Sequence, residues 1–159
     1  MTVKGATTLA GRLAAKFGKP GEFGLLFPTA AVLAEADLGS IGLTRARANT
    51  LRELGRAVCC GRISLESAAD PESFVAELTV IPGIGEWTAQ YVAMRALGEP
   101  DAFPAGDLGL LRAVGEAEGR LTPRALEQRS AGWRPWRAYA AMHLWMMSGQ
   151  VKIRKGMTR

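Results

Sequence analysis

Apolar residues return every three or four positions through almost the whole chain, and Gly, Pro and capping residues cut that rhythm into short segments. No segment alternates as a half-buried strand does. The first segment, residues 6–17, predicts an Ala/Leu-rich helix closed by Gly18 and followed by a Gly/Pro-rich loop to Pro28. Thr29 caps a short helix ending near Asp37. Thr44 caps a long one through Cys60, with Ala48, Leu51, Leu54 and Val58 on one stripe and Gly61 as its stop. Asp70-Pro71 pairs an N-cap with Pro at the first helical position. Asp107 opens a helix reaching about Glu116, Thr122-Pro123 opens the next, and Pro135 opens the last, ending near Ser148-Gly149. About eight helices with short connections result, with no internal repeat. The expected class is all-α, one domain over residues 1–150 followed by a basic tail over 151–159.

Composition agrees with a packed globular domain: 48% of the 159 residues are hydrophobic and 22% charged. Collagen-like, disordered and disulfide-dense classes do not fit. No apolar run approaches the eighteen or so residues of a membrane span. The first residues show no basic-then-apolar signal pattern. Twenty Lys+Arg face fifteen Asp+Glu, for a net charge of +5, and Arg outnumbers Lys fifteen to five. Guanidinium heads suit bidentate phosphate contacts, so a polyanionic partner is one reading and a solvated basic surface the other. Cys59 and Cys60 are adjacent, which excludes metal-ligand spacing and strains a mutual disulfide. They are expected to be buried or half-buried free thiols, from which a reducing, cytoplasmic location is expected.

Two stretches carry chemistry. Ile81-Pro82-Gly83-Ile84-Gly85 joins two helices. Its glycines permit positive φ and close backbone approach, and its amides, with the start of the next helix, form a nest suited to phosphate. An ordinary αα-corner would use the same residues. On the 86–97 helix, Ala89, Val92, Ala93, Ala96 and Leu97 fall on one side and Trp87, Tyr91 and Met94 on the other. Such a helix is either buried all round or lines a pocket. Further on, Phe103-Pro-Ala-Gly-Asp107 places a carboxylate at a helix N-terminus, where capping alone accounts for it. An anion beside an aromatic wall is also what cleavage of a glycosidic bond through a cationic sugar requires. His143 is read as a structural histidine. The last helix is apolar nearly all round, so Trp136 and Met142 are expected in the core.

The order Leu78-Thr-Val-Ile-Pro-Gly-Ile-Gly-Glu-Trp-Thr-Ala-Gln-Tyr91, then Phe103-Pro-Ala-Gly-Asp107, then Trp133-Arg-Pro-Trp-Arg-Ala-Tyr-Ala140 resembles the helix–hairpin–helix DNA glycosylases with a Gly/Pro-rich loop and Asp. It is most similar to the 3-methyladenine-DNA glycosylase II group. The resemblance implies a helical glycosylase bundle that lacks its first helices, and a monofunctional enzyme excising alkylated, cationic purines from double-stranded DNA. It implies that Asp107 is the catalytic carboxylate and that Trp87, Tyr91 and Trp145 line the base pocket. The amides of Gly83, Gly85 and Thr88 would hold a DNA phosphate. The carbonyls of Thr79, Ile81 and Gly83 would hold a sodium or potassium ion, with no other cofactor.

Departures from the group refine the expectation. Met146 replaces a second pocket aromatic. Trp87 stands where strand-cutting relatives carry the Schiff-base lysine, which implies that the strand is left uncut. Two Cys cannot supply the four ligands of the iron–sulfur cluster of some relatives. The segment that wedges into the duplex lies upstream of the matched residues in relatives. Without it, Leu9, Leu13 and Phe17 of the first helix are expected to form an exposed apolar patch and to drive self-association. A non-catalytic helix–hairpin–helix module that binds only the DNA backbone is the rival reading, and a helical scaffold with no nucleic-acid role is the third.

Overall fold

The computed structural model describes residues 3–66, 70–115 and 121–156. Among these are eight α-helices: α1 (Val3–Phe17), α2 (Ala30–Glu35), α3 (Arg45–Cys59), α4 (Pro71–Thr79), α5 (Glu86–Val92), α6 (Leu108–Gly115), α7 (Pro123–Ser130) and α8 (Arg137–Gly156). The predicted caps recur. The hydroxyl oxygens of Thr29, Thr44 and Thr122 accept from the amides of Val32, Arg47 and Ala125. Asp70 accepts from the amides of Glu72 and Ser73. Each satisfies an amide that the first helical turn leaves without a partner. No helix among the described residues is long and apolar enough to cross a membrane.

Three departures have physical causes. The loop after α1 contains two three-residue strands, β1 (Lys19–Gly21) and β2 (Gly24–Leu26), paired antiparallel with Lys19 opposite Leu26. Strands this short cannot display a period. The 86–97 helix widens after Val92 into a π-turn, Ala93–Leu97, before Gly98 closes it at φ 70°. α8 passes through Gly149 to Gly156, because one glycine in a helix costs only about 1 kcal/mol. It thus enters the predicted tail, of which residues 157–159, like Glu116, lie outside the described residues.

The chain divides into two compact units: Met1–Leu65 with Ala76–Ile84, and Glu66–Val75 with Gly85–Arg159. In the first, Leu13, Ala36, Leu38, Ile41 and Ala48 form the core, with Phe17, Leu33, Leu43 and Leu51 packed against it. α3 lies so close to α2 that a Cβ on Gly55 would sit 2.7 Å from the Ala30 carbonyl oxygen and 2.9 Å from the Ala34 nitrogen. The Arg12 and Arg52 side chains donate to the carbonyls of Ile41 and Ala36, tying α1 and α3 to the connection between them. Cys59 and Cys60 are exposed, contrary to expectation, because the last turn of α3 runs past its buried residues, Ala48, Gly55 and Ala57.

In the second unit α6 packs on α8, with Leu110, Leu126, Ala138 and Ala141 buried. Trp136 and Met142 are exposed, not core. The buried stripe of α8 is made of small residues, Ala138 and Ala141, and the large apolar side chains take the solvent side. The α8 start is anchored elsewhere. The Arg137 guanidinium, 7% exposed as a residue, pairs with Asp101 at 2.8 Å and Glu127 at 2.7 Å. Burial pushes its pKa down, but the Asp101 hydrogen bond and the charges of Asp101 and Glu127 more than offset this, so it stays cationic.

Candidate active site

Within the second unit, the loop after α5 is held before it reaches Asp107. The Gln90 side-chain oxygen accepts from the Phe103 amide at 3.0 Å, and the Pro100 carbonyl accepts from the Ala138 amide at 2.9 Å. The Asp107 amide then donates to the Pro104 carbonyl at 2.9 Å, turning the chain into α6. The Asp107 carboxylate accepts three hydrogen bonds. Its Oδ1 takes the Leu110 amide at 3.0 Å, the predicted cap, and the Trp145 indole N–H at 2.9 Å. Its Oδ2 takes the Trp87 indole N–H at 2.8 Å. Three donors from three elements fix the plane of the carboxylate.

The same two tryptophans belong to an aromatic wall. Trp87 and Tyr91 stack with ring centroids 5.4 Å apart and planes 10° from parallel, and Tyr91 meets Trp145 at 6.0 Å and 57°. Trp87 and Tyr91 remain 43% and 37% exposed, so this wall is open to an incoming group. Of the alternatives for this helix, lining a surface site describes Trp87 and Tyr91, and burial describes Met94. The three do not act as one face, because the π-turn interrupts the helical period. Met146 is exposed, and His143 is exposed and belongs to no group that could hold a metal among the described residues.

The hairpin turn belongs to the first unit up to Ile84. Its Ile84 amide donates to the Ile81 carbonyl at 3.0 Å, and Gly83 sits at φ 91°, where side chains are strained. A Cβ on Gly83 would also collide with the Thr50 hydroxyl. That hydroxyl lies 2.8 Å from the Pro82 carbonyl and 3.1 Å from that of Ala46, and so pins the turn to α3. Thr50 escaped the sequence reading, since its partner lies 32 residues away. Gly85 differs from Gly83: its backbone is extended, and a Cβ there would meet nothing within 4 Å. It opens α5 as an N-cap with no side-chain capping bond, and its carbonyl accepts from the Ala89 amide. The amides of Glu86, Trp87 and Thr88 in that first turn have no partner within the helix. The carbonyls of Thr79, Ile81 and Gly83 all belong to the first unit.

No protein-family model matches the chain. It is 41% identical over 150 residues to the probable bifunctional transcriptional activator/DNA repair enzyme AlkA of Mycobacterium tuberculosis, covering 91% of this chain and 30% of that protein. It is 33% identical over 128 residues to DNA-3-methyladenine glycosylase 2 of Escherichia coli, covering 79% and 44%. The solved 3-methyladenine DNA-glycosylase of Archaeoglobus fulgidus superposes with a TM-score of 0.80 at 25% identity, over 93% of this chain and 53% of that one. The chain thus spans about a third to a half of the length of these relatives. From the fold, the hairpin and the ordered Trp87–Asp107–Trp145 constellation, the chain belongs to the helix–hairpin–helix superfamily of DNA glycosylases, in the branch of 3-methyladenine-DNA glycosylase II.

Proposed function

We propose that the chain carries the catalytic apparatus of a monofunctional glycosylase that removes alkylated, cationic purines from double-stranded DNA. The observation that carries this is the Asp107 carboxylate, fixed by the Trp87 and Trp145 indoles beside an open aromatic wall. A nucleotide must first leave the stack, which costs a few kcal/mol and less for a damaged base. The electron-rich faces of Trp87, Tyr91 and Trp145 favour a cationic purine by roughly 1–2 kcal/mol. Such a base departs with the electron pair of its glycosidic bond and needs no general acid. Asp107 stabilises the cationic sugar left behind and takes a proton from the attacking water. Trp87 offers no amine for a Schiff base, so the product is an intact abasic strand.

The amides of Gly83, Gly85 and Thr88 supply sequence-independent donors to a DNA phosphate. A sodium or potassium ion on the carbonyls of Thr79, Ile81 and Gly83 fits their chemistry. These are neutral oxygens, and the Ile81 carbonyl keeps a second lone pair after accepting from Ile84. Such an ion would supply charge at the turn and takes no part in the reaction. A cytoplasmic, nucleoid-associated location accompanies this reading.

Self-association is part of the proposal, but α1 is not its surface. Leu13 is buried, and Leu9 and Phe17 are half-buried. The decisive experiment is a glycosylase assay on duplex DNA carrying one alkylated purine, with Asp107→Asn as control. Release of free base by the wild type alone supports the proposal. DNA binding without any base release favours the non-catalytic module.

A further inference from the structure

A cleft of about 460 Å³ lies in the second unit beyond the aromatic wall, lined by Trp87, Pro104, Gly106, Pro123, Arg124 and Gln128 among others. It falls within the roughly 300–1,000 Å³ of sites that hold small ligands. Two of its walls are shared with the candidate active site. Trp87 is the indole that donates to Asp107, and Gly106 is the residue before Asp107. Tyr91 covers one face of Trp87 and does not line the cleft, so the cleft meets an indole surface that the aromatic stack leaves free.

Two of the polar side chains at this cleft are uncommitted. Arg124 is exposed and has no ion-pair partner among the described residues, and the Gln128 side-chain amide makes no hydrogen bond among them. Two carboxylates also line it: Glu127, paired with Arg137 at 2.7 Å, and Glu86, exposed in the first turn of α5. Apolar walls with one free guanidinium and one free amide match a nucleotide, with its sugar and base against Pro and Trp and its phosphate on Arg. A sugar held at Asp107 belongs to a polymer. Its neighbour must be taken up at once, and this cleft shares walls with the place where that sugar would stand.

We propose that the cleft seats the nucleotide adjoining the excised one, with Arg124 on its phosphate and Gln128 donating to the same strand. This rests on the glycosylase reading, and both residues position the strand without touching the reacting atoms.

The test uses the 159-residue chain and two labelled duplexes of one sequence, one intact and one with a central abasic-site analogue. Affinity is read by fluorescence anisotropy across a potassium chloride series. Arg124→Ala should weaken binding of the abasic duplex about five- to tenfold and reduce the magnitude of the log–log salt slope by about one. On the intact duplex, where no nucleotide is held at Asp107, the loss should stay within about twofold. Arg124→Lys should restore the slope. Gln128→Ala should weaken abasic binding and leave the slope unchanged. Equal losses for Arg124→Ala on both duplexes would mark a general surface cation and overturn the assignment, as would no loss on either. If Arg124→Ala is silent while Asp107→Asn still abolishes excision, the cleft proposal fails and the glycosylase reading stands. A wild type that binds both duplexes alike would also overturn the cleft assignment, whereas base release alone decides the glycosylase reading. Arg124 is exposed, so thermal melting should be unchanged.

Discussion

The two oxygens of Asp107 accept from three donors, and an amide in its place cannot. In Asp107→Asn one oxygen still caps α6 and receives Trp145, but an NH₂ then faces the Trp87 N–H. One hydrogen bond is lost at a partly exposed indole, so stability should fall by about 0.5–1.5 kcal/mol, read from thermal melting. Excision should fall at least about a hundredfold, the scale of a preorganised charge at a reacting centre. Affinity for DNA should hold or rise, because a carboxylate near the backbone is gone. Full activity in a competent form of the protein would remove Asp107 from the mechanism. The cap was legible in the sequence, because capping is decided within three residues. The indole bonds were not: Trp87 and Trp145 lie 20 and 38 residues from Asp107 and meet it only through the fold.

At the scale of elements, the hairpin and its neighbouring helix starts make separable predictions. Gly83→Ala must strain a residue at φ 91° and displace Thr50, so it should destabilise the protein by about 1–3 kcal/mol. It should also weaken binding on all DNA sequences alike, with a shallower salt slope. Gly85→Ala should leave melting nearly unchanged, since its backbone is extended and its Cβ would meet open space. Any loss of DNA affinity in Gly85→Ala then reports the close approach of phosphate alone. Equal melting of the two variants would contradict the geometry. The sequence gives both glycines the same reading, since only the fold brings Thr50 against one of them. At the start of α4, Asp70 has its carboxyl held below the ordinary 3.8, first by the Ser73 hydroxyl and then by the Ser73 and Glu72 amides. A lowered folded-state pKa contributes stability that is complete above 3.8 and is lost as pH falls through the lower folded value. Melting temperature followed downward from about pH 5 should therefore fall less steeply in Asp70→Ala than in the wild type. Helix starts such as these were legible, whereas β1 and β2 were not, because strands of three residues are too short to show an alternation.

At the scale of the whole molecule, what the sequence could not show is which apolar surface is left over. Periodicity finds apolar faces, but a helix that is apolar all round does not reveal which side meets a neighbour. α8 turned its small residues inward and left Tyr139, Met142, Met146 and Met147 exposed, as is Trp136 just before it. In the first unit Phe23 is 97% exposed and Leu25, Leu26 and Phe27 are all more than half exposed. Each unit thus carries several large apolar side chains on its surface, and a soluble monomer rarely shows a contiguous apolar patch beyond a few hundred Å². A net charge of +5 gives only modest repulsion against association at physiological salt. The chain should therefore self-associate as its concentration rises, as measured by sedimentation velocity. Phe23→Ser with Leu25→Ser should shift it toward monomer, and Leu13→Ala should not, because Leu13 lies in the core and its loss lowers melting instead. Added salt should not dissolve the oligomer, since apolar contacts survive screening. A chain that stays monomeric at high concentration with all these side chains intact would show that the exposed faces of β2 and α8 are tolerated by solvent and drive no association.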